Sequence, residues 1–84
     1  MKEVQEKENM RLSELKKSDC GVVIGFTALG EVRKRLIDMG LVRGSQFKVI
    51  RKAPLGDPIE IKLNGFLLSL RLEEASHILV NLDA

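Results

Sequence analysis

The stretch Leu36–Val49, reading Leu-Ile-Asp-Met-Gly-Leu-Val-Arg-Gly-Ser-Gln-Phe-Lys-Val, constrains this chain more than any other. Leu36 and Met39 continue an apolar helical stripe. Gly40 then occupies the place where a helix ends on a residue with positive φ, which glycine adopts without a Cβ clash. Gly44 makes a second bend, after which Phe47 and Val49 alternate around Lys48. The period therefore changes from about 3.6 to about 2 within one short link. A helix turned into a strand by two glycines fixes the angle between them, and the remaining strands must wrap around that corner.

The other elements follow from the same periodicities. Leu12 and Leu15 make one short turn that can plug an end of a barrel, and Lys16–Asp19 is a turn. Cys20–Phe26 is a first strand with Val22, Ile24 and Phe26 on one face; Gly21 and Gly25 permit a bulge or bend. Leu29–Met39 is a helix whose stripe is Leu29, Val32, Leu36 and Met39, widened by Ile37. Thr27 is its expected N-cap, and Gly30 makes the first turn irregular. Gln46–Lys52 is a second strand, and Ile59, Ile61 and Leu63 alternate as a third. Between them, Pro54 and Pro58 bound a loop with Leu55, Gly56 and Asp57 at its tip. Asn64-Gly65 is the signature of a type I′ hairpin turn leading into Phe66–Leu70. Arg71–Ser76 is a short helical turn, and Ile78, Val80 and Leu82 form a last strand expected to close the sheet. The fold class is mainly β with one α-helix: a small antiparallel barrel of about five strands, with the helix between the first and second. Residues 1–9 read as a disordered polar tail and residues 10–84 as one domain.

Composition limits the chemistry. The chain is 44% hydrophobic but only 4% aromatic, which makes the core aliphatic. Its one cysteine, Cys20, excludes an internal disulfide and fits a reducing compartment. Apolar runs fall far short of the roughly 20 residues that span a bilayer, and the charged start is not a signal peptide. A cytoplasmic location follows as the expectation. The serines have no histidine–acid constellation around them, and no Gly-Lys-Ser/Thr marks a phosphate loop. An enzyme and a resident cofactor are therefore not expected. The only histidine, His77, follows Glu73 and Glu74, a weak surface metal set at most, set against a solvated turn. The three phenylalanines read inward, which leaves no aromatic platform for nucleic acid despite a basic middle of Arg33, Lys34, Arg35, Arg43, Lys48, Arg51 and Lys52. That middle is either a solvated face or a steering surface.

Partner binding is the more productive reading. Prolines on both flanks stiffen the loop that presents Leu55, so ordering it on binding costs little entropy. Alternation also leaves Ile50, Leu67 and Leu79 on the face opposite the core strands. Such residues either pack under the helix or form a patch for a partner or a weak self-dimer.

The chain resembles a known family in four stretches taken in order: Arg35–Gly44, Ala53–Ile59, Asn64-Gly65, and Ser69–Arg71 followed by Glu74-Ala75 and Ile78–Val80. In this spacing they are similar to the FeoA family, the small cytoplasmic component of bacterial ferrous-iron uptake. The resemblance implies an SH3-like barrel shaped by turns at Gly40, Gly44, Pro54, Pro58, Asn64 and Gly65. It also implies binding to, and regulation of, FeoB, the membrane ferrous-iron transporter with a cytoplasmic GTPase domain. Similar domains end iron-dependent repressors, so a free-standing regulatory interaction domain is the alternative, and a small basic nucleic-acid-binding barrel a second one. Arg43 stands where the family often has proline, a change expected to loosen the link without altering the turn.

Overall fold

The computed structural model describes residues 10–83; the polar tail expected over residues 1–9 lies outside them. In chain order the elements are β1 (Met10–Arg11), a 3-10 turn (Leu12–Glu14), β2 (Cys20–Phe26), α1 (Gly30–Asp38), β3 (Gln46–Lys52), β4 (Ile59–Leu63), β5 (Phe66–Leu70), α2 (Leu72–Ala75) and β6 (Ile78–Leu82). The strands form one antiparallel sheet in the order β1-β6-β2-β3-β4-β5. Five of these strands, β2 to β6, stand where alternation in the sequence places them, as does the Asn64-Gly65 turn, where Asn64 and Gly65 have φ of 48° and 93°. Alternation misses β1, a two-residue strand that exists only because β6 pairs with it. β6 therefore lies inside the sheet, between β1 and β2, and does not close it.

The core is aliphatic, as composition required: Leu12, Leu36, Leu41, Val49, Ile61 and Val80 are fully buried. Two bulges interrupt the ladders. Ile24 is the extra residue where β2 passes β6, and Ile50 is the extra residue where β3 passes β4. A bulge shifts the side-chain phase by one residue, which is why Ile50 reads as standing on the wrong face. Gly21, expected to serve a bend, serves close approach instead: a Cβ there would overlap the Asn81 carbonyl oxygen on β6.

The corner after α1 is closed by hydrogen bonds. Gly40 N–H donates to the Ile37 carbonyl at 2.9 Å and Leu41 N–H to the Leu36 carbonyl at 3.1 Å, with Gly40 at φ +101°. This pair is the Schellman arrangement, and Leu36 and Leu41 both enter the core beside it. Ser45, only 3% exposed, ties the corner to itself. Its hydroxyl accepts from the Val42 N–H at 3.2 Å and donates to the Gly40 carbonyl at 3.3 Å. Gly44 N–H then donates to the Val23 carbonyl at 2.8 Å and Val23 N–H to the Ser45 carbonyl at 2.9 Å, which joins the corner to β2.

Three side-chain expectations are corrected. The cap of α1 is Leu29, not Thr27, and Gly30 begins the helix at φ +64°; the Thr27 hydroxyl instead pairs with His77 Nδ1 at 3.3 Å. Of the helical stripe only Leu36 is buried, while Leu29 is 83% exposed, because the narrow sheet covers one line of the helix and no more. Phe66 is 73% exposed at the hairpin mouth, so not all three phenylalanines point inward.

Glu74 links the two helices. Its Oε1 accepts the Arg71 N–H at 3.0 Å, closing the start of α2, and its Oε2 accepts from the Arg35 guanidinium on α1 at 2.7 Å. The backbone bond from Arg71, opposed by partial burial and reinforced by Arg35, holds the Glu74 carboxyl below its ordinary pKa. A lowered pKa contributes stability that is present above the unfolded carboxylate value and is lost as pH falls through the folded one.

Gly21→Ala is expected to lower stability by about 1–3 kcal/mol or more through overpacking between β2 and β6. Ser45→Ala should remove about 1–3 kcal/mol by leaving the Val42 N–H without its partner. Urea midpoints at neutral pH test both. Glu74→Gln should be less stable than the parent at neutral pH, and the gap should narrow as pH drops below about 4. A gap that stays constant down to acid pH would show that the carboxylate charge at this position is irrelevant.

Candidate partner-binding site

The residues singled out from sequence lie on separate parts of the surface. Leu55 is 93% exposed at the tip of the loop from β3 to β4. That loop is held from both sides: Gly56 N–H donates to the Ala53 carbonyl at 2.7 Å and Ala53 N–H to the Pro58 carbonyl at 3.0 Å. Asp57 is not free for a partner, since its Oδ1 accepts the Leu72 N–H of α2 at 2.9 Å. Leu67 is 72% exposed on β5, an edge strand that pairs only with β4. Because the strands antiparallel to one another carry Leu55 and the Asn64-Gly65 turn at opposite ends of β4, Leu55 and Leu67 do not form one patch.

The suggested metal set is brought to one small hollow, where Glu73, Glu74 and His77 meet Val32 and Arg35. Its chemistry is that of a structural contact. The Glu74 carboxylate is engaged by Arg71 and Arg35, and His77 Nδ1 faces the Thr27 hydroxyl. Among the described residues, no three histidine, cysteine or carboxylate side chains converge as a metal would need.

Leu79, half-buried, belongs to a different and larger feature. It lies opposite Gly25 in the β2–β6 ladder and forms part of a groove of about 610 Å³ between the sheet and α1. The apolar wall of this groove is Ile24, Phe26, Ile37, Val42 and Leu79, and Gly25 adds no side chain to fill it. That volume is within the range of about 300–1,000 Å³ common for ligand pockets. Two cations flank the groove. Arg33 places its Cζ 5.7 Å from the Phe26 ring centroid, a cation–π distance. Arg43 donates from Nε to the Ile24 carbonyl at 3.1 Å, the carbonyl of the bulge residue. The link at Arg43 is thus anchored across the groove by its side chain.

Sequence reasoning found Leu79 and the two arginines but not the groove. Its floor depends on the Ile24 bulge and on the helix leaving Ile37 half-covered, and neither is written in local periodicity. The basic middle is also divided by the fold. Arg35 pairs with Glu74 and Arg51 with Glu60, and the Lys52 ammonium donates to the Ser13 carbonyl at 3.0 Å. Among the described residues, no helix is long and apolar enough to cross a membrane.

Residues 10–82 match the FeoA domain family. A fusion protein of Fe(2+) transport protein A with the Fe(2+) transporter FeoB, from Porphyromonas gingivalis, is 41% identical over 73 residues, 87% of this chain. This chain spans 9% of the length of that fusion. An FeoA-like protein from Clostridium acetobutylicum superimposes with a TM-score of 0.85 at 40% identity, covering 92% of this chain and 90% of the other. The FeoA of Stenotrophomonas maltophilia, solved with zinc and described as a prokaryotic SH3 domain protein, superimposes with a TM-score of 0.74 at 29% identity, covering 86% and 89%. The bent six-stranded sheet is thus an SH3-like fold, and with its whole length from β1 to β6 inside the family match, the chain belongs to the FeoA family.

Proposed function

We propose that this protein is a non-enzymatic accessory subunit of ferrous-iron uptake that binds and regulates a FeoB-type transporter. The observation that carries the reading is the fusion relative, in which a stretch 41% identical to this chain is continuous with an FeoB transporter. Domains joined in one chain act at high effective concentration on each other, and the separate protein reproduces that contact by binding. The site supports the same role. The groove supplies apolar surface for burial and two flanking cations for orientation, while His77 faces Thr27 and the Glu74 carboxylate is engaged by Arg35 and Arg71. The groove is the principal docking surface in this reading, and the rigidly held Leu55 is a second contact. Any nucleotide chemistry belongs to the partner, in whose cytoplasmic portion this subunit acts by contact.

Val42→Asp tests this, because Val42 is exposed and its side chain takes no part in the corner bonds. The variant should keep the parent's unfolding midpoint yet lose about tenfold or more in capture of the detergent-solubilised transporter from the same organism. Leu55→Ala should weaken capture less, by a few-fold, with the fold unchanged. Full capture by both folded variants would overturn the proposed docking surface, and no capture by the parent protein would overturn the partnership.

A further inference from the structure

We infer that the groove recognises an extended peptide segment in which an aliphatic or aromatic side chain stands next to a carboxylate, and that Arg43 is the residue that reads the carboxylate. The inference rests on the reading above, that the groove is where the transporter is met, and adds the chemistry of the segment recognised.

Charge is the first argument. The groove is walled by apolar side chains and two arginines, and among the described residues no acidic side chain lines it. An apolar side chain entering it is favoured by burial at roughly 25 cal/mol per Å², but burial alone does not distinguish one apolar segment from another. Two cations at the rim, neither in an ion pair among the described residues, do, because they reject a basic segment and favour an acidic one.

Geometry is the second argument. Ile24 is the extra residue where the β2–β6 register shifts, and Arg43 Nε donates to its carbonyl at 3.1 Å. With Nε engaged, the two terminal nitrogens of the guanidinium remain, and these are a fork that matches a carboxylate with two parallel hydrogen bonds. The side chain is already fixed in place, so less rotamer freedom is lost when a carboxylate arrives. Arg33 is held on the other side by the Phe26 ring, and it supplies field rather than fixed geometry. Apolar wall and fork lie within one hollow, which sets the spacing: the carboxylate belongs to a residue adjacent in the extended segment to the one inserted, or to its near neighbour on the same face.

The test presents the full chain to a display library of random peptides and measures selected peptides by fluorescence anisotropy. The expected winners carry Asp or Glu beside Leu, Ile, Val or Phe. Their affinity should fall about tenfold or more in Arg43→Gln, fall further with Arg33→Gln, and weaken as salt is raised. Amide resonances of Gly25 and Leu79 should shift on binding. Arg43→Lys should recover only part of the affinity, since an ammonium keeps charge without the fork. Arg33→Gln alone leaves the Ile24 carbonyl bond untouched, so it reports on charge if Arg43→Gln disturbs the bulge. Winners without acidic residues, affinities unchanged in the double variant, shifts confined to the Leu55 loop, or no winners would each overturn the inference. In any of those cases, loss of transporter capture in Val42→Asp would still uphold the docking surface, so the two claims fail separately.

Discussion

The Ser45 hydroxyl accepts one backbone N–H from Val42 and donates to one backbone carbonyl, that of Gly40, and the register between helix and sheet hangs on that exchange. A helix ends with carbonyls that need partners. Here two are met by Gly40 and Leu41 N–H groups, and the buried Ser45 side chain closes the turn that follows by bonding Val42 and Gly40. Only with the corner satisfied can Val23 bond to both Gly44 and Ser45, and only with Val23 in place does β2 continue into its bulge. The groove lies beyond it in the same order: the bulge at Ile24, and Arg43 anchored on that residue's carbonyl.

What could be read from the sequence was what local rules determine. Strand ends fell where alternation met Gly, Pro or Asn, and Asn64-Gly65 set the hairpin because both residues tolerate positive φ. The helix end was legible for the same reason at Gly40. What could not be read was set by tertiary approach. Gly21 looks like any strand glycine until β6 lies against it. β1 has no periodicity to detect and is made a strand by its partner. The helical stripe was correct as a pattern, but a stripe does not state how much surface faces it, and Leu29 and Val32 were left outside. For the site, exposure of Leu55 and Leu67 followed from their positions, whereas the engagement of Asp57 by Leu72 joins residues 15 apart in sequence.

Electrostatics shows a similar division of labour. Seven cations in the middle of the chain suggested one basic surface. The fold uses Arg35 and Lys52 as internal ties and leaves Arg51 in an exposed pair of the kind worth little to stability. Glu74 receives both a backbone bond and Arg35, and it acts as a joint between α1 and α2. What remains around the groove is a small field from two arginines, each held by a neutral group, a ring or a carbonyl, and neither in an ion pair among the described residues.

The pairing of β1 with β6 has a topological consequence. Met10 stands opposite Val80, so the described fold is entered and left through two adjacent strands. A unit whose two ends meet can be spliced into a longer polypeptide, or joined to one at either end, with little change in where the attachment emerges. It also takes tension in a particular way. A pull between the ends loads the short β1–β6 ladder first, and because Leu79 pairs there with Arg11 and also lines the groove, that load arrives directly at the groove wall. The strand through which the described fold is left is thus also a wall of its largest described hollow, and tension on one is felt by the other.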